Sequence, residues 1–224
     1  QKGGSVEAEK LLQSFLNKRG ESYQFEMSSP ITAEKSCSRL STHLTYGTIS
    51  HRAVFQEAIK KRDQIKHTNK NFAKSINSFL SRLHWRSHFI QKLEDQPSIE
   101  HESFIPVYDQ IRDKDEEKLE AWIEGKTGVH FIDACMIYLR NHGWINFRMR
   151  AMLASFASYN LWLDWRYFAP RLAALFTDFE PGIHYSQIQM QSGTTGINTI
   201  RMYTPYKQAM DQDPLAKFIK SQIP

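Results

Sequence analysis

The chain has 224 residues, is 41% hydrophobic and 12% aromatic, and carries a net charge of +5 with a pI near 9.1. That length suits one large domain or two small ones with a sizeable core, and no apolar run approaches the ~20 residues of a membrane span. The mild basic balance is compatible with a polyanionic partner and equally with none, while two cysteines, Cys37 and Cys135, are too few for a four-cysteine iron–sulfur cluster and, without a CxxC, suit a reducing compartment better than a disulfide.

Helix signals follow one another along the chain, and strand signals are poor. The opening "QKGGSVEAEK" has neither an apolar signal core nor an initiator Met, and the chain is expected to be part of a longer protein or a processed product. Residues 1–22 are expected to form an N-terminal helix and linker, and 23–224 a single domain. "EAEKLLQSFLNKRG" has apolar residues at helical spacing and a stop at Gly20; Ser50 can cap "HRAVFQEAIKKR"; "NFAKSINSFLSRLHWRSHFIQKL" carries a long apolar stripe. "DKDEEKLEAWIEG" starts acidic, as a helix N-terminus favours, and ends at Gly125; "HFIDACMIYLRNHG" ends at Gly143. "NFRMRAMLASFASYNLWL" and "WRYFAPRLAALF" follow, the latter interrupted or bent at Pro170. From Asp178 to Tyr203 the pattern reads as irregular, and an irregular stretch of that length inside a helical domain is often functional. The fold class is all-α, a globular cluster of about ten helices.

Three stretches could carry chemistry. "SCSRLSTHLTYGTIS" sets Ser36, Ser38, Ser41 and Thr42 around Arg39 ahead of a helix, either a phosphate cradle or a serine-rich cap. "LHWRSHF" places His84 and His88 at i, i+4, but no third ligand is patterned and no metal is expected; Trp85 beside Arg86 suits stacking plus phosphate contact, or the polar rim of a core helix. "GWINFRMR" (143–150) puts Arg148 and Arg150 roughly 200° apart on a helix, so at least one leans toward the interior, where a guanidinium needs an acid or a phosphate. Asp133, mid-helix among apolar residues, Asp164 with Arg166, and Asp178, Glu180 and His184 in a loop add further charged or titratable groups. Either they neutralise one another or they surround a charged ligand.

Taken in order, "SRLS" (38–41), "YGTIS" (46–50), "WR" (85–86), "AWIEGKTG" with "IDACMIYL" (121–139), "GW" with R-x-R (143–150), "ASF" (154–156), "LDWR" (163–166) and Asp178 resemble the FAD-binding helical domain of the DNA photolyase and cryptochrome family, from about Tyr23 to Pro214. The family's other half, an N-terminal α/β domain that often holds an antenna pigment, has no βαβ counterpart in this chain and is the partner the resemblance implies. The resemblance implies FAD as cofactor, with Cys37, Ser38, Arg39, Leu40, Ser41 and Arg86 toward its phosphates, Arg150 paired with Asp178 beside its ring, Glu180 and His184 near that ring, and Tyr23 matching the family's upstream cofactor-binding Tyr. Cys37 stands where a Thr is usual and Glu180 where a second Asp is. His184 falls where repair enzymes have an Asn and is expected to titrate near neutral pH.

The positions that read damaged DNA in the family differ more. Trp85 matches one residue that sandwiches the lesion, but Met190 replaces the other, Arg82 a base-binding Glu, Phe147 an Asn, and Ala151 a Met. In the family's electron relay Trp165 matches the middle tryptophan, while Ile188 and Val107 or Tyr108 stand in the flanking positions, so photoreduction by the usual chain is expected to fail; Trp162, Trp144 or Tyr185 are other routes. The resemblance therefore implies light-driven repair of pyrimidine dimers, with Trp85, His184 and Trp165 as the catalytic set, or, alternatively, a cryptochrome-like photoreceptor or redox flavoprotein without repair. A monomer is expected, in the cytoplasm, or in the nucleus or an organelle of a eukaryote.

Overall fold

The computed structural model describes residues 1–223. It is helical throughout: among the described residues there is no strand, and one isolated bridge joins Asp113 to Leu163. The chain divides into two compact units, Gln1–His88 and Phe89–Pro224.

The first unit contains α1 (Ser5–Asn17), α2 (Tyr23–Glu26), α3 (Pro30–Ser36), α4 (Ser41–Thr45), α5 (His51–Ile65) and most of α6 (Lys70–Asp95). The caps are legible in the sequence: Ser29 accepts from Ile31 N–H and Ser50 from Ala53 N–H, meeting N–H groups that a helix start leaves without partners. The apolar stripes converge on Leu12, Phe15, Tyr23, Leu40, Val54, Ile76 and Phe79. Phe15 meets Tyr23 edge-on at 5.5 Å and Phe79 at 4.7 Å. Leu12, Phe15 and Leu16 of α1, in the stretch expected as an N-terminal helix and linker, lie in this core, and the first compact unit runs to His88.

The second unit contains α7 (Glu116–Glu124), α8 (His130–His142), α9 (Phe147–Ser155), α10 (Trp165–Ala173), α11 (Pro181–Ser192), α12 (Pro205–Gln212) and α13 (Lys217–Gln222). Helix α8 is buried over Phe131–Met136 and at Tyr138 and Leu139, with α7 and α13 packed on it, while α11 packs on α9 and α10. Asp115 caps α7, accepting from Lys118 N–H at 3.0 Å, and Gly125 and Gly143 end α7 and α8 in the left-handed conformation. After α9 the helix widens into one π turn, Leu161 N–H reaching Phe156 C=O at 3.1 Å, and Trp162 ends it at φ +59°. Pro170 lies inside α10 and does not interrupt it. Most of the stretch expected to be irregular is instead α11, because Pro181 presets the first helical turn; 178–180 and 193–204 keep the irregular form. Among the described residues, no helix is long and apolar enough to cross a membrane.

Candidate functional site

In the first unit, Cys37 to Ser41 join α3 to α4. Leu40 is fully buried, so its side chain anchors the loop in the core and only its backbone can face a ligand. Arg39 holds φ +62°, a left-handed conformation that costs a residue with a Cβ about 1–2 kcal/mol. Ser38 Oγ accepts from Leu40 N–H at 3.4 Å, and α4 begins at Ser41 with no side-chain cap of its own. Backbone N–H groups at such a turn and helix start form a concavity that favours an anion.

The same unit carries Arg82, Trp85 and Arg86 on α6. Trp85 is 45% exposed, with the Arg82 guanidinium 4.4 Å from its ring centre. Arg86 donates to Leu44 C=O at the end of α4, 3.3 Å. Tyr23 lies in the core; burial raises its hydroxyl pKa, which the Arg82 guanidinium opposes. His84 rests edge-on against Phe55 at 4.8 Å, and no group of three metal-ligating side chains occurs among the described residues.

In the second unit the two arginines of 143–150 part company. Arg150 donates from Nη2 to Asp178 Oδ2 at 2.9 Å and from Nε to Ile145 C=O at 2.7 Å, with its guanidinium 4.2 Å above the Phe176 ring. The Asp178 side chain is 2% exposed and that of Arg150 25%. Arg148 is half-buried, and its Nε finds no hydrogen-bond partner among the described residues. The pair is set by the close of α8: Thr177 donates to Gly143 C=O from both N–H, 2.9 Å, and Oγ1, 3.0 Å. A Cβ on Gly143 would come within 2.4 Å of Thr177 Cγ2. Phe147, 43% exposed, opens α9.

His184 departs from expectation. It is buried on α11, in edge contact with Phe179 and Tyr185 at 5.4 and 5.2 Å, and its Nε2 meets Ala169 C=O at 2.9 Å. Burial pushes its pKa down to about 4, so the expectation that it titrates near neutral pH is corrected: His184 is neutral there. The unfolded chain takes up this proton near pH 6.5, so the contribution to stability is complete above that pH and is lost as pH falls from 6.5 to about 4. It amounts to roughly 3 kcal/mol. Urea midpoints measured across that range should fall for the parent protein and less steeply for His184→Gln; equal slopes would remove His184 as the cause. Glu180 precedes the Pro181 that opens α11 and is half-buried; Met190, near its end, has its Sδ 3.8 Å from Gln187 Nε2.

Other groups singled out for their charge are satisfied locally. Asp133 lies in the first turn of α8, not mid-helix, and accepts from Thr127 N–H, Thr127 Oγ1 and Gly128 N–H at 2.9, 2.6 and 2.9 Å. Asp164 caps α10 through Arg166 N–H at 2.9 Å and pairs with the Arg166 guanidinium. Trp165 is 2% exposed, donates to Ser103 Oγ at 2.9 Å, and meets Tyr185 edge-on at 6.4 Å. Cys37 and Cys135 form no disulfide. Two structurally central residues escape a sequence reading. Arg19 donates to the carbonyls of Leu11, Lys35, Cys37 and Ser38 and to Ser14 Oγ. Gln189, fully buried, accepts from Phe104 N–H and donates to Ile99 and Glu102 C=O, each at 2.9 Å. Neither lies in a motif; Gln189 could have been noticed only as a polar residue on an otherwise buried helix face.

Residues 79–224 match the family model described as the FAD binding domain of DNA photolyase. The chain belongs to that family. It is 29% identical over 224 residues to a deoxyribodipyrimidine photo-lyase of Streptomyces griseus, covering 100% of this chain and 46% of the relative, and 31% identical over 232 residues to cryptochrome-2 of Arabidopsis thaliana, covering 99% and 36%. The crystal structure of an archaeal photolyase from Sulfolobus tokodaii, described with two FAD molecules, superposes with a TM-score of 0.82 at 31% identity, over 100% of this chain and 47% of that one. The photolyase-family chain thus spans less than half the length of these relatives.

The residues present fit FAD by their chemistry. The first unit has a turn at 38–41 whose backbone suits an anion, with Arg19 holding the Cys37 and Ser38 carbonyls and Arg86 that of Leu44. The other supplies a buried carboxylate–guanidinium pair, Arg150 with Asp178, able to meet the polar edge of a flavin ring.

Proposed function

We propose that this chain is the FAD-binding part of a light-driven flavoprotein that repairs pyrimidine dimers in DNA. The observation that carries the reading is the family match, supported by the buried Arg150–Asp178 pair and the left-handed turn at 38–41. When bound, FAD supplies light-driven one-electron chemistry. Ser38, Arg39, Leu40 and Ser41 hold its phosphates through backbone and hydroxyl donors, Cys37 flanking them, with Tyr23 and Arg86 behind. Arg150, Asp178, Glu180 and His184 orient the ring, His184 as a neutral group. Trp85 offers an exposed face on which an unstacked base can lie, a contact worth about 1–3 kcal/mol, with Arg82, Phe147 and Met190 around the lesion. Trp165 takes part in electron relay to the cofactor. DNA, and an N-terminal α/β domain in the full-length protein, are the partners; the protein acts as a monomer in the cytoplasm, or in the nucleus or an organelle of a eukaryote.

A specific observation supports a second reading, a photoreceptor or redox flavoprotein without repair. Phe147 presents an apolar face where the family's repair enzymes present an amide, and Arg82 covers Trp85 where they carry an acid. A site that loses its hydrogen-bonding groups loses discrimination steeply. Illuminating the reduced, FAD-loaded full-length protein with dimer-containing oligonucleotide decides between them: we expect light-dependent loss of the dimer, weakened by Trp85→Ala, and no loss under saturating light would favour the second reading.

A further inference from the structure

Arg19, at the turn after α1, makes five hydrogen bonds with its five N–H donors. Nε reaches Ser14 Oγ at 2.9 Å; Nη1 reaches Lys35 C=O at 2.8 Å and Cys37 C=O at 2.6 Å; Nη2 reaches Leu11 C=O and Ser38 C=O at 3.2 Å each. No donor remains for a ligand. Its contacts instead gather three carbonyls of the segment just ahead of Arg39, the residue with φ +62°. In a planar trans peptide the C=O of one residue and the N–H of the next point in opposite directions. Drawing the Cys37 and Ser38 carbonyls onto one guanidinium therefore turns the N–H groups of Ser38 and Arg39 together to the other side of the loop. A left-handed residue persists only where its surroundings over-determine it, and Arg19 supplies that restraint from behind.

We propose that Arg19 is a positioning residue for phosphate recognition: it sets the Ser38–Arg39 peptides so that their N–H groups converge on the diphosphate of FAD. This rests on the FAD-binding reading above. Arg19 touches no cofactor atom; its positive charge also lies behind the two peptides, where it enhances their polarity toward an anion. Lysine cannot replace it, because three donors on a flexible stem cannot hold four carbonyls and a hydroxyl in one plane.

The test uses the full chain, titrated with FAD and with riboflavin, which carries the ring but no phosphate. Arg19→Gln should weaken FAD binding at least 30-fold and change riboflavin binding less than twofold. Arg19→Lys should fall between it and the parent. Ser14→Ala, which removes one of the five acceptors and keeps the fold, should weaken FAD a few-fold with riboflavin unchanged. Unchanged FAD affinity in a folded Arg19→Gln or Ser14→Ala chain would overturn the proposal. So would equal losses for FAD and riboflavin, which would mark Arg19 as a general brace. A parent chain that takes up no FAD would overturn the cofactor reading itself.

Discussion

Arg150→Ala is expected to leave the protein without bound flavin, its affinity reduced at least a hundredfold, and to destabilise the fold by about 3 kcal/mol. Arg150 is the partner of a carboxylate that is almost wholly out of water. Removing one member of a buried pair strands the other charge, which costs more than the pair itself contributes. The change also deletes the bond to Ile145 C=O and the stacking on Phe176, and a cation over an aromatic face adds roughly 0.5–2 kcal/mol. The estimate sits at the low end for ion-pair removal because Arg150 is partly exposed and water can reach the site it vacates. Flavin absorbance per mole of purified protein, read with a urea midpoint, measures both effects. Arg150→Lys should retain part of the stability, since the charge remains, but less of the flavin, since the forked geometry is lost. Full flavin occupancy in Arg150→Ala would sink the assignment of this pair to the cofactor.

Gln189→Leu is expected to lower stability by about 4 kcal/mol, because each buried group left without its partner costs about 1–3 kcal/mol. Gln189 lies in α11 and ties down the 99–104 segment through three backbone groups, while Thr194 Oγ1 adds a fourth contact at 3.2 Å. Leucine fills the space with an apolar, branched side chain and meets none of them. In a chain of this size, that loss lowers the melting temperature by roughly 10 °C. Scanning calorimetry of the variant checks it; a drop of under 3 °C would mean that water replaces the amide. The same segment carries Ser103, the acceptor of the Trp165 indole N–H, so the variant should also broaden the environment of Trp165 in its fluorescence.

Much of the candidate site was legible because it is local. The serine-rich turn, Trp85 and Arg86 in one helix, and the R-x-R after Gly143 are short stretches whose residue types carry their chemistry with them. The pairing of Arg150 with Asp178 came from the resemblance, and the geometry of 143–150 explains it: two arginines at opposite phases of α9 cannot share a partner, so one turns to Asp178 and the other does not. The failures have physical reasons too. Asp133 looked like a buried charge in need of an arginine, yet it sits at a helix start, where turn N–H groups satisfy it. His184 looked like a neutral-pH titrating group because its type has that ordinary pKa; desolvation among aromatic rings removes the property. Residues 181–192 looked irregular because α11 buries Tyr185 and Ile188 together with polar residues such as Ser186 and Gln189, which hides the helical stripe.

By itself the sequence determined the helical class, the placement of most helices and their caps, and the family, since periodicity, capping and motif order depend on neighbours along the chain. Only the tertiary structure decided where the chain divides, which carboxylate meets which arginine, that His184 is held neutral, and that Arg19 and Gln189 organise loops distant from them in sequence. Those outcomes depend on burial and on hydrogen-bond partners up to 90 residues away. Such partners are chosen by packing, and no spacing along the chain encodes them.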